Sequence, residues 1–215
     1  MKRIFTAILL SITFLSAEAQ IEKLAGPRVG VTMITSGSLA SIIRGDVPFF
    51  SDDVSKEWTG STGKYGAAIS QYGWQWESRF ADGGDITGVV EWIALVGGME
   101  KGMFLPSASS MVGLRTAKGI EFAVGPNLSL GGIAMVFGAG YNFKFGKLNV
   151  PVNIAYVPSM NKTYNHDAEY EWVEEYDGNE NYIGGGGEIE TSPAYSVTHP
   201  TGARISVMVG FNLSK

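Results

Sequence analysis

The stretch QYGWQWESRF, residues 71–80, constrains the fold more than any other part of the chain. In it Tyr72, Trp74 and Trp76 alternate with polar residues such as Gln75. Successive side chains of a β-strand point to opposite faces, so this stretch is predicted to be a strand with one aromatic face and one polar face. Something apolar must cover the aromatic face.

The same alternation recurs in eight segments, each about the 9 to 11 residues that a tilted strand needs to cross a bilayer. We predict strands at residues 28–35, 70–80, 85–96, 107–116, 119–125, 128–145, 147–157 and 203–213.

The connections between these segments differ in length according to the end at which they lie. Short turns (ADGGD, AKG and Gly146) follow the second, fourth and sixth segments, and a short GPN link at residues 125–127 follows the fifth. Longer links occupy residues 36–69, 97–106 and 158–202. A meander with tight turns at one end and long loops at the other is typical of outer-membrane barrels.

In most of these segments, large apolar side chains hold every second position and polar or small residues hold the positions between. Ile34, Val89, Ile93 and Val157 break the pattern. A closed barrel could turn its apolar face inward around a hydrophobic ligand, as lipocalins do, or outward against lipid. Three features favour the outward solution: a polar face rich in small residues, nearly balanced charges that could pair inside, and aromatic residues toward strand ends. The charges are Glu77, Glu91, Glu121, Arg79, Arg115, Lys144 and Arg204.

Composition supports one all-β domain and excludes several partners. The chain is 45% hydrophobic with 29 glycines, which suits many short strands and tight turns better than helices. Its net charge of -5 argues against nucleic acid. Because there is no cysteine, disulfides, thiolate metal sites and a lipid-modified cysteine are excluded. We expect no cofactor.

The first nineteen residues are predicted to be a cleaved signal peptide. Lys2 and Arg3 precede an apolar run at residues 4–15, and small residues lead to a cleavage site after Ala19. The run is shorter than the ~20 residues of a membrane-spanning helix, which disfavours an uncleaved anchor. We therefore expect an exported protein whose mature domain covers residues 20–215.

These features together resemble the small eight-stranded outer-membrane barrels of the OmpX and OmpA transmembrane-domain kind. The resemblance rests on the signal ending in AEAQ, the eight alternating strands, the asymmetry of turns and loops, and the closing ARISVMVGFNL. It implies outer-membrane lipids and the barrel assembly machinery as partners. Such families usually end on an aromatic residue that helps assembly, whereas here four residues follow Phe211.

The long acidic link at residues 158–202 is expected to be a solvated, partly mobile loop, or alternatively a surface that binds extracellular ligands through aromatic residues and carboxylates. A calcium loop is disfavoured, because Tyr182 occupies the position that needs glycine. Its candidate ligands are Asp177, Asn179, Asn181 and Glu188.

Two further motifs are weak. GSTGKYG, residues 60–66, lacks the first glycine and the hydroxyl residue of a phosphate loop, since Trp58 and Tyr65 occupy those positions. Lipid-modifying barrels place a histidine, a serine and an acid at the outer rim, which draws attention to His199 with Ser196 or Asp167, but no spacing makes the set specific. We predict no catalytic, cofactor or metal residues.

The sequence therefore predicts an all-β, eight-stranded antiparallel up-and-down transmembrane barrel in the bacterial outer membrane. Its N-terminus lies in the periplasm, and long extracellular loops occupy residues 36–69 and 158–202. We expect a lumen plugged by polar side chains and a structural or surface-interaction role without catalysis. A soluble periplasmic barrel that carries a hydrophobic ligand, and a lipid-modifying membrane enzyme, are the alternatives.

Overall fold

The computed structural model describes residues 23–46, 63–176 and 182–214, and within them eight antiparallel strands close into a barrel. The predicted all-β fold and the strand number are confirmed. The first seven barrel strands are β1 (Lys23–Ile34), β2 (Ala67–Asp82), β3 (Ile86–Gly97), β4 (Leu105–Thr116), β5 (Ile120–Ser129), β6 (Gly132–Phe145) and β7 (Leu148–Val157). The eighth consists of β12 (Arg204–Gly210) and β13 (Asn212–Ser214), and it pairs with both β1 and β7.

The closure of the barrel is staggered. The Cα partner of Lys23 on β2, the partner of that residue on β3, and so on around the barrel end at Met33 on β1. The stagger between the start and the end of this circuit is ten residues. With a rise of about 3.3 Å per residue and strands about 4.8 Å apart, this stagger tilts the strands by roughly 40°. The interior of such a barrel is narrow enough for side chains to fill it.

Two prolines explain why the eighth strand is interrupted at Phe211. In the strand register, Pro27 on β1 lies opposite Phe211, and Pro151 on β7 lies opposite Gly210. Neither proline has an N–H to donate, so ladder hydrogen bonds are missing there. The register is the same on both sides of the gap, and the Phe211 amide still donates to the Pro27 carbonyl at 3.1 Å.

The turns and loops segregate as predicted. At the turn end, residues 83–85, 117–119 and 146–147 connect strands. At the loop end, the described residues 35–46, 63–66, 98–104, 130–131, 158–176 and 182–203 lie between barrel strands. They include a short helix, α1 (Ser38–Arg44), and one 3-10 turn (Met99–Lys101). Neither of these helical segments in the described part of the chain is long and apolar enough to span a membrane.

The predicted boundary between the fifth and sixth strands was wrong, and the first strand begins at Lys23, five residues before its predicted start. The GPN link at residues 125–127 lies inside β5, where Pro126 pairs with Met135. The turn is formed instead by Leu130 and Gly131, and Gly132 then takes a φ of 106°, which glycine adopts without strain. The predicted sixth strand therefore begins at Gly132 and not at residue 128.

The long acidic link contains strands that the sequence did not predict. It forms two two-stranded antiparallel sheets: β8 (Asn161–His166) pairs with β11 (Tyr195–Pro200), and between them in the chain β9 (Glu169–Tyr176) pairs with β10 (Tyr182–Ser192) as a hairpin. We call these four strands the arm. The arm is inserted between β7 and β12, at the loop end of the barrel.

The helix α1 closes the barrel at the loop end. Its Ala40 and Ile43 pack against Ile34, Ile69 and Leu105, and all five side chains are buried. The helix ends at Gly45, whose left-handed φ of 79° allows its amide to bond back to the last turn. Ile34 broke the alternation of the sequence because it belongs to this apolar plug.

Candidate functional site

The outer wall of the barrel is apolar and exposed. Trp74, Phe137 and Ile205 have 43%, 50% and 37% of their surface accessible and point away from the interior, as predicted. The other exposed side chains of this wall include Val29, Val31, Met33, Tyr72, Trp76, Phe80, Ile86, Trp92, Val112, Leu114, Phe122, Ile133, Met135, Phe143, Phe145, Ile154, Tyr156, Val207 and Phe211.

Charged residues are rare on this wall. At the positions of β3 to β7 and β12 that share the outward alternation with these side chains, the described chain carries no Asp, Glu, Lys or Arg. In β1 and β2 the only charged residues at positions of that parity are Lys23 and Asp82, which are terminal residues of their strands. Aromatic residues lie at some strand ends, as Phe145 and Tyr156 do, but Trp76 and Trp92 lie opposite each other in mid-strand. The expectation of aromatic residues toward strand ends is therefore met only in part.

The interior holds the charges that the wall lacks. Arg115 donates through both terminal nitrogens to the two carboxylate oxygens of Glu77 at 2.5 Å each, and its Nε donates to Glu121. All three side chains are nearly inaccessible. Such a bidentate pair, together with the second carboxylate bound at Nε of the guanidinium, offsets the cost of burying ions. The predicted internal pairing of charges is thus observed for these residues.

The register determines which members of this network meet. Glu77 was expected to join an internal ion-pair cluster, and its partner there is Arg115 on β4. Glu91 accepts a hydrogen bond of 2.9 Å from Gln75 Nε2. The sequence of one strand shows only which of its residues share a face. The members of this network come from β2, β3, β4 and β5, and the strand register decides which of them are neighbours.

Sequence reasoning missed Arg28, which is 3% exposed and points into the barrel. One of its terminal nitrogens donates to the Pro151 carbonyl at 3.3 Å. The signal was available in the alternation, because Arg28 has the parity of Thr32 and the opposite parity to Val29 and Val31.

A cavity of about 90 Å³ lies between the charged network and the apolar plug. It is lined by Arg28, Glu91, Glu121 and Asn127 together with apolar side chains such as Met111. Pockets for organic ligands usually measure about 300 to 1,000 Å³, so this cavity is too small for a hydrophobic ligand of that kind. It is large enough for water, which needs about 10 to 15 Å³ per molecule by a comparable measure.

Val89, Ile93 and Val157, which broke the alternation of the sequence, also lie on the inner side. Val157 packs in a buried cluster with Met111 and Val136, and Ile93 borders the same cluster. Val89 is 1% exposed and lines the cavity. The buried cluster of Met111, Val136 and Val157 therefore lies on the loop side of the ion pairs of Arg115, whereas Val89 lies two residues nearer the turn end than Glu91.

The arm presents charges on both of its faces. Cross-strand partners share a face, so Trp172 lies beside Glu188 and Tyr170 beside Glu190 on one side, while Glu171 lies beside Ile189 on the other. Tyr170, Trp172 and Ile189 have 58%, 61% and 55% of their surface accessible. The arm thus lacks the sorting of apolar and ionised residues that the barrel shows.

The weaker motifs do not assemble in the described residues. Ser196 and His199 lie three positions apart on β11 and point to opposite faces, and Ser196 donates to Asn165 at 2.8 Å. His166 stacks on Tyr195 with ring centroids 4.6 Å apart. A serine–histidine pair of the catalytic kind therefore does not form from Ser196 and His199.

The candidate calcium ligands Asp177, Asn179 and Asn181 fall outside the described residues, and Glu188 lies on β10. Within the described ranges no group of three acidic or histidine side chains is arranged to hold a metal ion. Of the stretch at residues 60–66, only the part from Gly63 onward is described, and Ser41 Oγ accepts a hydrogen bond from the Gly63 amide at 2.8 Å.

Comparison with protein-family models gives no match to this chain. A search of curated proteins likewise finds no similar sequence.

Proposed function

We propose that this protein is an outer-membrane β-barrel whose arm and loops serve a structural or surface-interaction role. The observation that carries the proposal is the reversed sorting of side chains in the barrel, with large apolar residues outside and ion pairs inside. Water would favour the opposite arrangement.

The magnitude of this reversal supports lipid as the surrounding medium. Fully burying one large apolar side chain contributes about 1.5 to 3 kcal/mol, so leaving the whole wall half exposed to water would forgo tens of kcal/mol. Folded domains have net stabilities of only about 5 to 15 kcal/mol. A soluble monomer of this shape is therefore disfavoured by energy, and a contiguous apolar wall of this size is otherwise found at interfaces.

The arrangement of the connections supports an orientation. In outer-membrane barrels, short turns face the periplasm and longer loops face outward. The turn end would then be periplasmic, and the acidic arm would project from the cell surface. On this proposal the lipids of the outer membrane surround the wall, and the barrel assembly machinery inserts it.

Fractionation combined with gel migration tests the proposal. The full chain, expressed in a bacterium with an outer membrane, should require detergent for extraction, and unheated samples should migrate differently from boiled ones because the closed barrel resists unfolding. Mass spectrometry should find a mature N-terminus at Gln20. Recovery of the protein in the soluble fraction without detergent would reject the membrane proposal and favour a soluble carrier.

A further inference from the structure

The outer hairpin of the arm presents a face that combines two exposed aromatic residues with two carboxylates. On β9, Tyr170 and Trp172 point to one side, and on β10 their direct partners Glu190 and Glu188 point to the same side. We call these four residues the aromatic face, and the opposite side, with Glu171, the reverse face. Tyr170 and Trp172 on the aromatic face and Ile189 on the reverse face each keep more than half of their surface accessible.

A glycine positions the indole on this face. A Cβ at Gly186 would lie 2.8 Å from Cε2, Cζ2 and Nε1 of Trp172, so the ring lies diagonally across the bare backbone of β10. The ring still has 61% of its surface accessible. One side of the indole is therefore supported by the strand while the other remains open to a ligand.

The charge around this face is one-sided. Residues 161–200, which span the arm, contain nine Asp or Glu residues and one basic residue, Lys162 on β8. Alternate residues on a strand are about 6.6 Å apart, which is within the Debye length of about 8 Å at physiological salt, so neighbouring carboxylates repel one another with little screening. A positively charged partner would relieve this repulsion.

The chemistry of the face indicates which cation it would take. Aromatic rings attract organic cations such as guanidinium and ammonium groups, and Trp is the most effective ring. Metal ions are a poorer fit, because indole and phenol rings are not their usual ligands. The phosphates of a lipopolysaccharide would be repelled. We infer that the aromatic face binds an extended protein segment whose Arg or Lys residues alternate with other residues.

The spacing agrees with this partner. In an extended peptide, side chains on one side repeat about every 6.6 Å, which is the repeat of Tyr170 and Trp172 along β9 and of Glu188 and Glu190 along β10. Each cation would lie over a ring and beside the carboxylate opposite it. This inference rests on the surface-interaction role proposed above and names the partner of that surface.

Fluorescence anisotropy of a labelled peptide of alternating Arg and Ser, added to the full chain in a non-ionic detergent at roughly 50 mM salt, tests the inference. The double variant Glu188→Gln/Glu190→Gln should weaken binding by about tenfold or more. The control Glu169→Gln/Glu171→Gln removes the same charge from the reverse face and should change affinity by less than about threefold. Equal weakening by the two double variants would overturn the inference, because it would reflect only the total acidic charge.

Variants of the indole test the face independently of charge. Trp172→Ala should weaken binding by about tenfold, and Gly186→Ala, which displaces the ring, should weaken it severalfold. Val173→Ala, on the reverse face, should leave affinity unchanged. Tight binding that survives Trp172→Ala, no binding of the Arg peptide by the unmodified chain, or equal binding of an alternating Glu and Ser peptide would each overturn the inference.

Gel migration of unheated samples separates the two proposals. Variants that lose peptide binding while keeping the migration of the folded barrel bear on the aromatic face alone. If the unmodified chain proves to be soluble without detergent, the membrane proposal fails, and the same anisotropy measurement in plain buffer still decides whether the aromatic face binds the peptide.

Discussion

The barrel wall and the arm are both antiparallel sheets with alternating sequences, yet they sort their side chains differently. In the barrel, β2 places Trp74 and Trp76 outward and Glu77 inward, where Glu77 pairs with Arg115. In the arm, β9 places Trp172 on one face and Glu171 on the other, and both faces are exposed. A sheet sorts its residues this strictly when its two sides meet different media. The change from sorted to unsorted faces between β7 and β8 therefore marks the level at which we expect lipid to give way to water.

The largest expected effect comes from the charged network of the barrel. Arg115→Met leaves Glu77 and Glu121 buried without their cation and should destabilise the barrel by about 3 to 5 kcal/mol. The check is the denaturant midpoint of unfolding in detergent. Neutralising the acids as well, in Glu77→Gln/Arg115→Met/Glu121→Gln, should recover most of the loss. An unchanged midpoint in Arg115→Met would contradict the network.

Matched valines then compare the two regions directly. Val207 in β12 and Val173 in β9 are 42% and 45% exposed. If lipid surrounds the first and water the second, Val207→Arg should cost about 2 to 4 kcal/mol when the residue lies near the bilayer midplane, whereas Val173→Arg should stay within about 0.5 kcal/mol. Unfolding in lipid vesicles measures both. Equal costs would remove the distinction between wall and arm.

Glycines offer a smaller contrast of the same kind. A Cβ at Gly125 in β5 would overlap the Ser110 carbonyl oxygen on β4 and lie 2.8 Å from Met111 Cα, whereas a Cβ at Gly187 in β10 would meet nothing within 4 Å. We expect Gly125→Ala to destabilise the barrel by about 1 to 3 kcal/mol through overpacking against backbone. Gly187→Ala is the control and should leave the unfolding midpoint unchanged.

The smallest effect is local to the rim. Glu100 accepts a 2.9 Å hydrogen bond from the Ser70 amide and a second from the Ser70 hydroxyl, and these bonds lower the pKa of its carboxyl below the usual range. A lowered pKa means that the tether is present at neutral pH and is lost as the pH falls through that lowered value. Glu100→Ala should speed hydrogen exchange at the Ser70 amide without moving the global midpoint. Unchanged exchange would show that the tether is not formed.

The wall could be predicted from sequence because alternation is a local property. Each strand reports its own two faces, and Trp74, Phe137 and Ile205 face outward as their parity required. The boundary between β5 and β6 was missed because Gly, Pro and Asn are typical turn residues, whereas pairing with β6 holds Pro126 within the strand. The strands of the arm were missed because neither face of the β9–β10 sheet is apolar, so no segregated pattern marked them.

For the interior, the sequence predicted that ionised side chains would pair, but not which residues would pair with each other. The balance of acids and bases indicated that ions would pair inside, but which ions meet depends on the stagger of the closed barrel, and no single strand encodes that stagger. Thus Glu77 pairs with Arg115, thirty-eight positions away in the sequence. The plug formed by α1 also could not be foreseen, because its buried contacts come from three strands.

Spin labels at single cysteines test the central claim most directly, and the absence of native cysteine makes the labelling unambiguous. Labels at Val207→Cys and Val173→Cys, in protein reconstituted into vesicles, are compared for collision with oxygen, which partitions into lipid, and with a charged nickel complex, which stays in water. We predict that the Val207 label collides with oxygen and is shielded from nickel, and that the Val173 label is accessible to nickel. A Val207 label that collides freely with nickel would contradict an outer wall that faces lipid.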